Sequence, residues 1–378
     1  MAEWKNQHYV PQHFLRGWAI NDRIEVFHLE HGSVPATHIS KVCSEDYLYG
    51  NPPHVEQELS DLEDLHHRPL KTLHSGSSLS SLTRAETALL LSFVTTQRTR
   101  SKFTQEDIAA GDEILRGGVQ ADITNNRYED LLQWTTDLTT DEREDTLVDA
   151  SILGIHLSLM VKGVLGYLSI NDLDGVLLCN TTNKEFVISD LPIVLDNPRF
   201  KRQTGMGPAG LAERGTQIYC PIDSSRLLFL YDPLIYSIKS NSREQVLIKS
   251  TSVVDELNLL QFHNADSIVM HRNSSTEYLN ELREQMDTVR SRITISQEHE
   301  LATGETYDVE KTPPYQVPAA SPDLPAYRIN RTIPYTERRP TARVERLQQL
   351  AQQISTEAYG YPDVSLIATI QYLTEWFS

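Results

Sequence analysis

Cysteine is scarce in this 378-residue chain, and the three present, Cys43, Cys179 and Cys220, stand far apart with no C-x-x-C pair. Their spacing argues against a disulfide framework and against a cysteine zinc site. It fits a reducing, intracellular compartment, so a cytoplasmic location is expected. Residues 1–20 hold no basic start followed by an apolar run, and no signal peptide is expected there. Positive charge is short as well: 34 Lys and Arg face 52 Asp and Glu, a formal net charge of -18. Such a surface does not bind nucleic acid or anionic lipid indiscriminately, although it leaves room for a local basic groove. Arg98, Arg100 and Lys102 form one basic cluster. Arg199–Arg202 and Arg338–Arg346 form two more, which read as solvated faces.

One apolar run, residues 150–170, approaches the length of a membrane span. Lys162 within it would cost about 3 kcal/mol in a bilayer. No basic flank orients the run, and Asp145 and Asp149 precede it. It reads as a buried central helix, and no membrane association is expected. Also missing are a P-loop, a dinucleotide-binding glycine fingerprint after a strand, a nucleophile-elbow serine and an H-E-x-x-H pair.

What the chain does have is a dense start. Between Asn6 and Trp18 lie two histidines, three aromatics, a proline and an arginine. Chain termini usually fray into small polar residues, so this composition predicts a buried segment whose polar atoms find partners inside the fold. Pro11 suits the first turn of a short helix with Phe14, Leu15 and Trp18 on one face and Gln12 and Arg16 on another. Asn21-Asp22 predicts a turn into a β-hairpin of Ile24–Leu29 and Val34–Ile39. Val55, Leu59, Leu62 and Leu65 predict an amphipathic helix that Pro69 should end or kink. Thr83-x-x-Glu86 is a capping box. The helix it opens carries a stripe of Leu90, Phe93 and Val94 that passes into Gln97 and Arg100 on the same face.

Helices are expected at 105–116, 128–135 and 146–168, and short strands at 175–179, 185–188, 217–219, 226–231 and 246–249. Ser252-x-x-Asp255 should cap a further helix, with another following from Thr276. Asn197–Gly215 is a long glycine-containing loop. Residues 296–339 are proline-rich and polar, and two helices, 342–357 and 364–377, end the chain. The expected fold class is α+β, a mostly helical core with a small antiparallel sheet and an N-terminal hairpin, plus C-terminal helices. The expected domains are a core over 1–290, a proline-rich wrap or linker over 291–340 and a helical extension over 341–378.

Asn6-Gln7-His8-Tyr9-Val10-Pro11-Gln12-His13-Phe14-Leu15-Arg16 resembles the HYVPQ-x-(F/Y)-L-(R/K) signature of a large, uncharacterised, mainly microbial family, domain of unknown function 4238. The resemblance continues through Val55–Glu63, Leu82–Glu86 and Gln97-Arg98-Thr99-Arg100. It resumes at Phe186–Pro192, where the family usually reads S-D-N-P and Leu191 replaces the asparagine. Pro221 fits a P-L-x-P strand motif in which Asp223 replaces a serine, and Asn258 matches a helical asparagine. The resemblance spans roughly residues 1 to 285. It implies kinship of fold and supplies no activity.

Seven residues are candidates for a shared site: His8, Gln12, Arg16, Gln97, Arg98, Arg100 and Asp190. His13 is set apart from them. Each candidate is polar among residues that should be buried, so they are expected to converge on one another or on a ligand. His8 suits acid–base work or metal ligation. Asp190, after an apolar strand, suits catalysis or a divalent metal, and Arg98 or Arg100 could hold a phosphate. The same residues could equally form a network that pins the N-terminus to the core without chemistry. Other histidines carry less weight: His66, His67 and His74 lie near one helix without a metal-site pattern, and His28, His31 and His38 belong to the hairpin. The expected function is an enzyme on a phosphate-containing substrate, nucleic acid or nucleotide, as a hydrolase of microbial antiviral defence or a toxin effector. The competing class is a non-catalytic ligand-sensing or interaction module, with a protein partner or a second copy docking on the C-terminal helices.

Overall fold

The computed structural model describes residues 5–50, 54–102, 104, 106, 140–199, 210–286, 295–300, 306–311, 322–334 and 366–371. Apart from Glu106, the predicted helices 105–116, 128–135 and 342–357 lie outside these residues, as do most of 364–377 and 200–209 of the long loop.

The signature begins as β1 (Asn6–His8), turns through the single helical turn α1 (Gln12–Leu15), and leads to the hairpin β2 (Arg23–His28) and β3 (Gly32–His38). Asn21 and Asp22 both take positive φ, 52° and 57°, as a tight turn requires. β4 (Ser44–Asp46) returns to pair antiparallel with β1. Helix α2 (His54–His74) follows with Val55, Leu59, Leu62 and Leu65 buried, as their spacing predicts. It neither ends nor breaks at Pro69. Leu70 and Leu73 are fully buried beyond it, and that burial offsets the roughly 3 kcal/mol a mid-helix proline costs.

Helix α3 (Arg84–Thr99) opens with the predicted capping box: Glu86 N–H donates to Thr83 Oγ1 at 3.1 Å and Thr83 N–H to Glu86 Oε2 at 2.8 Å. The apolar run forms α4 (Thr140–Leu165), which packs along α3, and a short α5 (Tyr167–Ile170) follows. Val148–Leu165 has the length and apolar content of a membrane span. Its Leu157, Met160, Val164 and Leu165 are buried in one cluster with Leu59 and Leu62 of α2 and with Leu366 and Ile370 of a C-terminal helical segment. The approach of α3 and α4 is close because α4 presents glycine. A Cβ on Gly163 would stand 2.0 Å from Thr99 Oγ1, and one on Gly166 would stand 2.8 Å from Thr95 Cβ.

Two substantial sheets carry the rest. One has the order β11-β5-β9-β8-β7, with β5 (Asp174–Asn180), β7 (Val194–Asp196), β8 (Gln217–Asp223), β9 (Arg226–Tyr231) and β11 (Gln245–Ile248). It is antiparallel except where β11 runs parallel to β5. The other has the order β3-β2-β12-β6, adding β6 (Ile188–Ser189) and β12 (Ile268–His271). Helices α6 (Thr251–Asn264) and α7 (Thr276–Gln285) cover these sheets, and β10 (Tyr236–Ile238) pairs with β15 (Tyr327–Ile329). A hairpin of β13 (Ile295–Glu300) and β14 (Thr306–Lys311) lies in the stretch read as irregular.

The expectation of a mostly helical core with one small sheet is therefore corrected to a mixed α/β fold with several sheets. The reason is visible in β8 and β9. Ile218, Cys220, Ile222, Leu228 and Leu230 face one core with α1, α2 and α3, whereas Tyr219, Leu227, Phe229 and Tyr231 face another with α6. Strands covered on both faces lack the apolar–polar alternation that would show which side is buried, so these expected strands are found while their two-sided layering is not legible in the sequence. The cap at Ser252 is a second correction: α6 starts at Thr251 without a side-chain cap, and Asp255 instead binds Lys184 Nζ at 2.6 and 2.7 Å.

Candidate functional site

The stripe on α3 stays buried as its chemistry changes, so Gln97 and Arg100, each 2% exposed, are carried inside the fold. A buried guanidinium is tolerated only with close partners. Arg100 has three: its Nη2 lies 2.7 Å from Glu63 Oε1 and donates to the His8 carbonyl at 2.6 Å, and its Nε donates to the Tyr49 hydroxyl at 3.2 Å. Tyr49 in turn donates to the Arg100 carbonyl at 2.8 Å, and its own N–H donates to Gln7 Oε1 at 2.6 Å. Gln97 Nε2 donates to the Tyr9 carbonyl, also at 2.6 Å. The N-terminal signature is thus held by its backbone, at His8 and Tyr9, from the last turn of α3.

Arg100 keeps its charge, since Tyr49, Glu63 and Glu56 outweigh the effect of burial. That charge acts on every imidazole around it. Burial first and Arg100 second push His8 down to about 4 and His66 down to about 3. His156 is brought to about 4 by burial and Arg100, against the pull of its bond to the Thr99 carbonyl. His13 lies well below its ordinary value through burial, His67, His66 and Arg100. Glu56 moves the other way: burial pushes it up to about 7, opposed by Arg100 and helped by Glu63. The surroundings of Arg100 at neutral pH are therefore neutral imidazoles, one ion-paired carboxylate and one carboxyl near its midpoint.

Six buried side-chain atoms of this region make no hydrogen bond: His8 Nε2, His13 Nε2, Glu56 Oε2, Thr96 Oγ1, Gln97 Oε1 and His156 Nδ1. His13 Nδ1 stands 3.9 Å from Glu63 Oε2, and the His13 and His67 rings are 5.1 Å apart between centroids. The Tyr49 and His156 rings are 5.9 Å apart. These side chains, supplied by β1, α1, α2, α3, α4 and the Tyr49 segment, form a buried polar cluster around Arg100.

Of the seven residues singled out by sequence, His8, Gln97 and Arg100 meet here. Arg98 is half-buried, one position and about 100° round the helix from Gln97. Gln12 is half-buried and Arg16 is exposed, paired with Asp22 at 3.3 Å. His13, set aside on sequence grounds, turns inward in their place. Asp190 is separate. Its carboxylate accepts from the N–H groups of Asp266, Ser267 and Ile268 at 2.8, 2.8 and 3.1 Å and from Ser267 Oγ at 2.9 Å. Burial pushes it up to about 6 against those bonds. It clamps the approach to β12. Tyr9 connects the two regions: its carbonyl serves Gln97, and its phenol is raised by burial, Cys43, Asp190 and Asp266.

Glu56, Glu63, Tyr49, His13, His66 and His156 escaped the sequence reading as members of one site. Glu56 and Glu63 did carry a signal, since they stand seven residues apart beside the buried stripe of α2, where a buried Arg100 needs a carboxylate. Among the described residues, no three His, Cys, Asp or Glu side chains are arranged to hold a metal ion.

Residues 6–275 match the family described as Protein of unknown function (DUF4238). The match spans well over half of the chain, which belongs to this family. No curated protein and no solved structure matches the chain.

Proposed function

We propose that the polar cluster around Arg100 encloses a chamber in which this member of the DUF4238 family binds a small polar ligand, and that the protein acts as a ligand-responsive module. One observation carries this: six unpartnered, buried polar atoms gathered around one buried guanidinium. A buried polar group left unpaired costs about 1–3 kcal/mol, and native folds leave very few so. Six in one place call for an occupant that supplies the missing bonds. Access lies on the α2 side, where Glu63 is 23% exposed although the Arg100 it holds is 2% exposed. Calorimetric titration and thermal-shift measurement against small polar compounds test this. A saturable ligand whose binding is lost in His13→Phe and Thr96→Val supports it. No binding, with ordered water at all six atoms in a crystal structure, refutes it.

A second reading, the hydrolase of a phosphate-containing substrate expected from the sequence, keeps one supporting observation. Glu56, pushed up to about 7, and Glu63, ion-paired with Arg100, stand two turns apart on α2 with His13 beside them. One carboxyl that holds a proton near neutral pH beside one that is paired is how acid–base couples are built. Against it, the Nη2 and Nε of Arg100 and the carboxylate of Asp190 are already engaged within the fold. Cleavage of RNA, DNA or nucleotides, with and without divalent metal, lost in Glu56→Gln and retained in Asp190→Asn, would favour this reading.

A further inference from the structure

The unsatisfied atoms of the chamber also say what kind of ligand would satisfy them. Gln97 spends its amide N–H on the Tyr9 carbonyl, so its orphaned Oε1 only accepts. Glu56 Oε2 accepts whenever that carboxyl is ionised. The His156 Nε2–H donates to the Thr99 carbonyl and the other His8 nitrogen donates to backbone carbonyls at Ile39 and Ser40, so in these neutral rings His156 Nδ1 and His8 Nε2 only accept, while Thr96 Oγ1 and His13 Nε2 can take either role. The atoms with a fixed role are acceptors, and they ask for a donor.

Charge points the same way. Arg100 is the cation of the chamber and is already bound by the Glu63 carboxylate and the His8 carbonyl. The imidazoles around it are neutral at pH 7, and Arg16, at the outer side of α1, is committed to Asp22. Glu56 and Glu63 together outnumber the single guanidinium once Glu56 ionises. A phosphate placed here would add negative charge to two carboxylates, and the Nη2 and Nε of Arg100 are already spent on Glu63, the His8 carbonyl and Tyr49. An N–H donor, neutral or cationic, meets acceptors and no competing cation.

Resting on the reading of the chamber as a binding site, we infer that its ligand is a small N–H donor, an amine or a nucleobase-like amide, and not a phosphate. The test titrates the full chain with putrescine, guanosine, orthophosphate and adenosine monophosphate, for wild type and for Glu56→Gln and Thr96→Val. Both variants conserve volume, and Glu56→Gln keeps an oxygen to accept from the His8 N–H; a cooperative thermal transition in each, no lower than that of wild type, confirms that they fold. Saturable binding of putrescine, weakened at least tenfold in Glu56→Gln, identifies an amine site. Binding of guanosine, weakened about fivefold or more in Thr96→Val and little changed by Glu56→Gln, identifies a base site. Either result supports the inference. Binding of orthophosphate or of the nucleotide, without putrescine or guanosine, overturns it while leaving the chamber a ligand site. Binding of none of the four overturns the inference and the ligand-site reading together.

Discussion

Arg100 and Glu63 meet at 2.7 Å between α3 and α2, with the guanidinium 2% and the carboxylate 23% exposed. The pair ties the two helices together, and through the His8 carbonyl the same guanidinium ties both to the N-terminal strand. Removing one partner strands the other. Glu63→Leu should lower unfolding free energy by about 3 kcal/mol, whereas Glu63→Leu with Arg100→Met should recover most of the loss. Urea denaturation of both singles and the double gives the coupling energy. Strictly additive losses would mean that the pair does not hold the helices.

Glu56 predicts a pH dependence of definite sign. Its folded value is raised to about 7, above the ordinary 4.5, so the native state holds its proton where the unfolded chain has lost it. The associated stability is present below pH 4.5 and fades as pH rises through 7. Glu56→Gln removes that loss. Relative to wild type it should gain stability between pH 5 and 8, reaching about 3 kcal/mol. A difference that stays flat with pH would show Glu56 to be solvated.

His66 supplies the opposite slope. Its folded value is depressed to about 3, from 6.5, by burial and by Arg100. Below pH 6.5 the unfolded chain takes up a proton that the native state refuses, so stability falls with falling pH. His66→Gln, which can keep the contact to Ser92 Oγ, deletes this term. Any deficit of the variant at pH 7.5 should therefore shrink on acidification, by up to about 1.4 kcal/mol per pH unit. Denaturation curves at pH 5, 6 and 7.5 measure it, and a deficit that widens on acidification contradicts the burial of a neutral imidazole.

Asp190 is expected to matter for folding and not for ligand. Four donors converge on its carboxylate, and an amide would turn an N–H₂ toward some of them. Asp190→Asn should cost about 3 kcal/mol. Native Asp190→Asn should nevertheless bind a chamber ligand as wild type does. Lost affinity in protein that remains folded would join Asp190 to the site after all.

Gly163 measures the closeness of α3 and α4. Gly163→Ala places a Cβ against Thr99 and should destabilise by about 2 kcal/mol, with Thr99→Ala restoring part of it. An alanine variant as stable as wild type would show that the helices part at no cost.

Local features were readable where the signal and the cause lie in the same few residues. The turn at Asn21-Asp22, the capping box at Thr83 and Glu86, and the α2 stripe from Val55 to Leu65 need only near neighbours, and each is found as expected. Strands β5, β8 and β9 were legible singly; their assembly into several sheets was not, because pairings such as β12 with β2 and β6 join residues far apart in the chain. Ser252 and Asp255 misled for a related reason: Asp255 had a stronger distant partner in Lys184.

For the site, the sequence by itself determined that the signature segment from Gln7 to Leu15 is largely buried, and that the last turn of α3 brings an amide and a guanidinium in from water. Both follow from putting polar side chains on apolar faces. Only the tertiary structure decided who answers them. Glu63 meets Arg100, backbone N–H groups occupy Asp190, and His13 turns inward while Arg16 turns out. Those choices depend on which surfaces the packing of α2, α3 and the sheets brings within hydrogen-bond distance. Residue spacing along the chain carries no record of them, because the partners of a buried charge are selected by position in space.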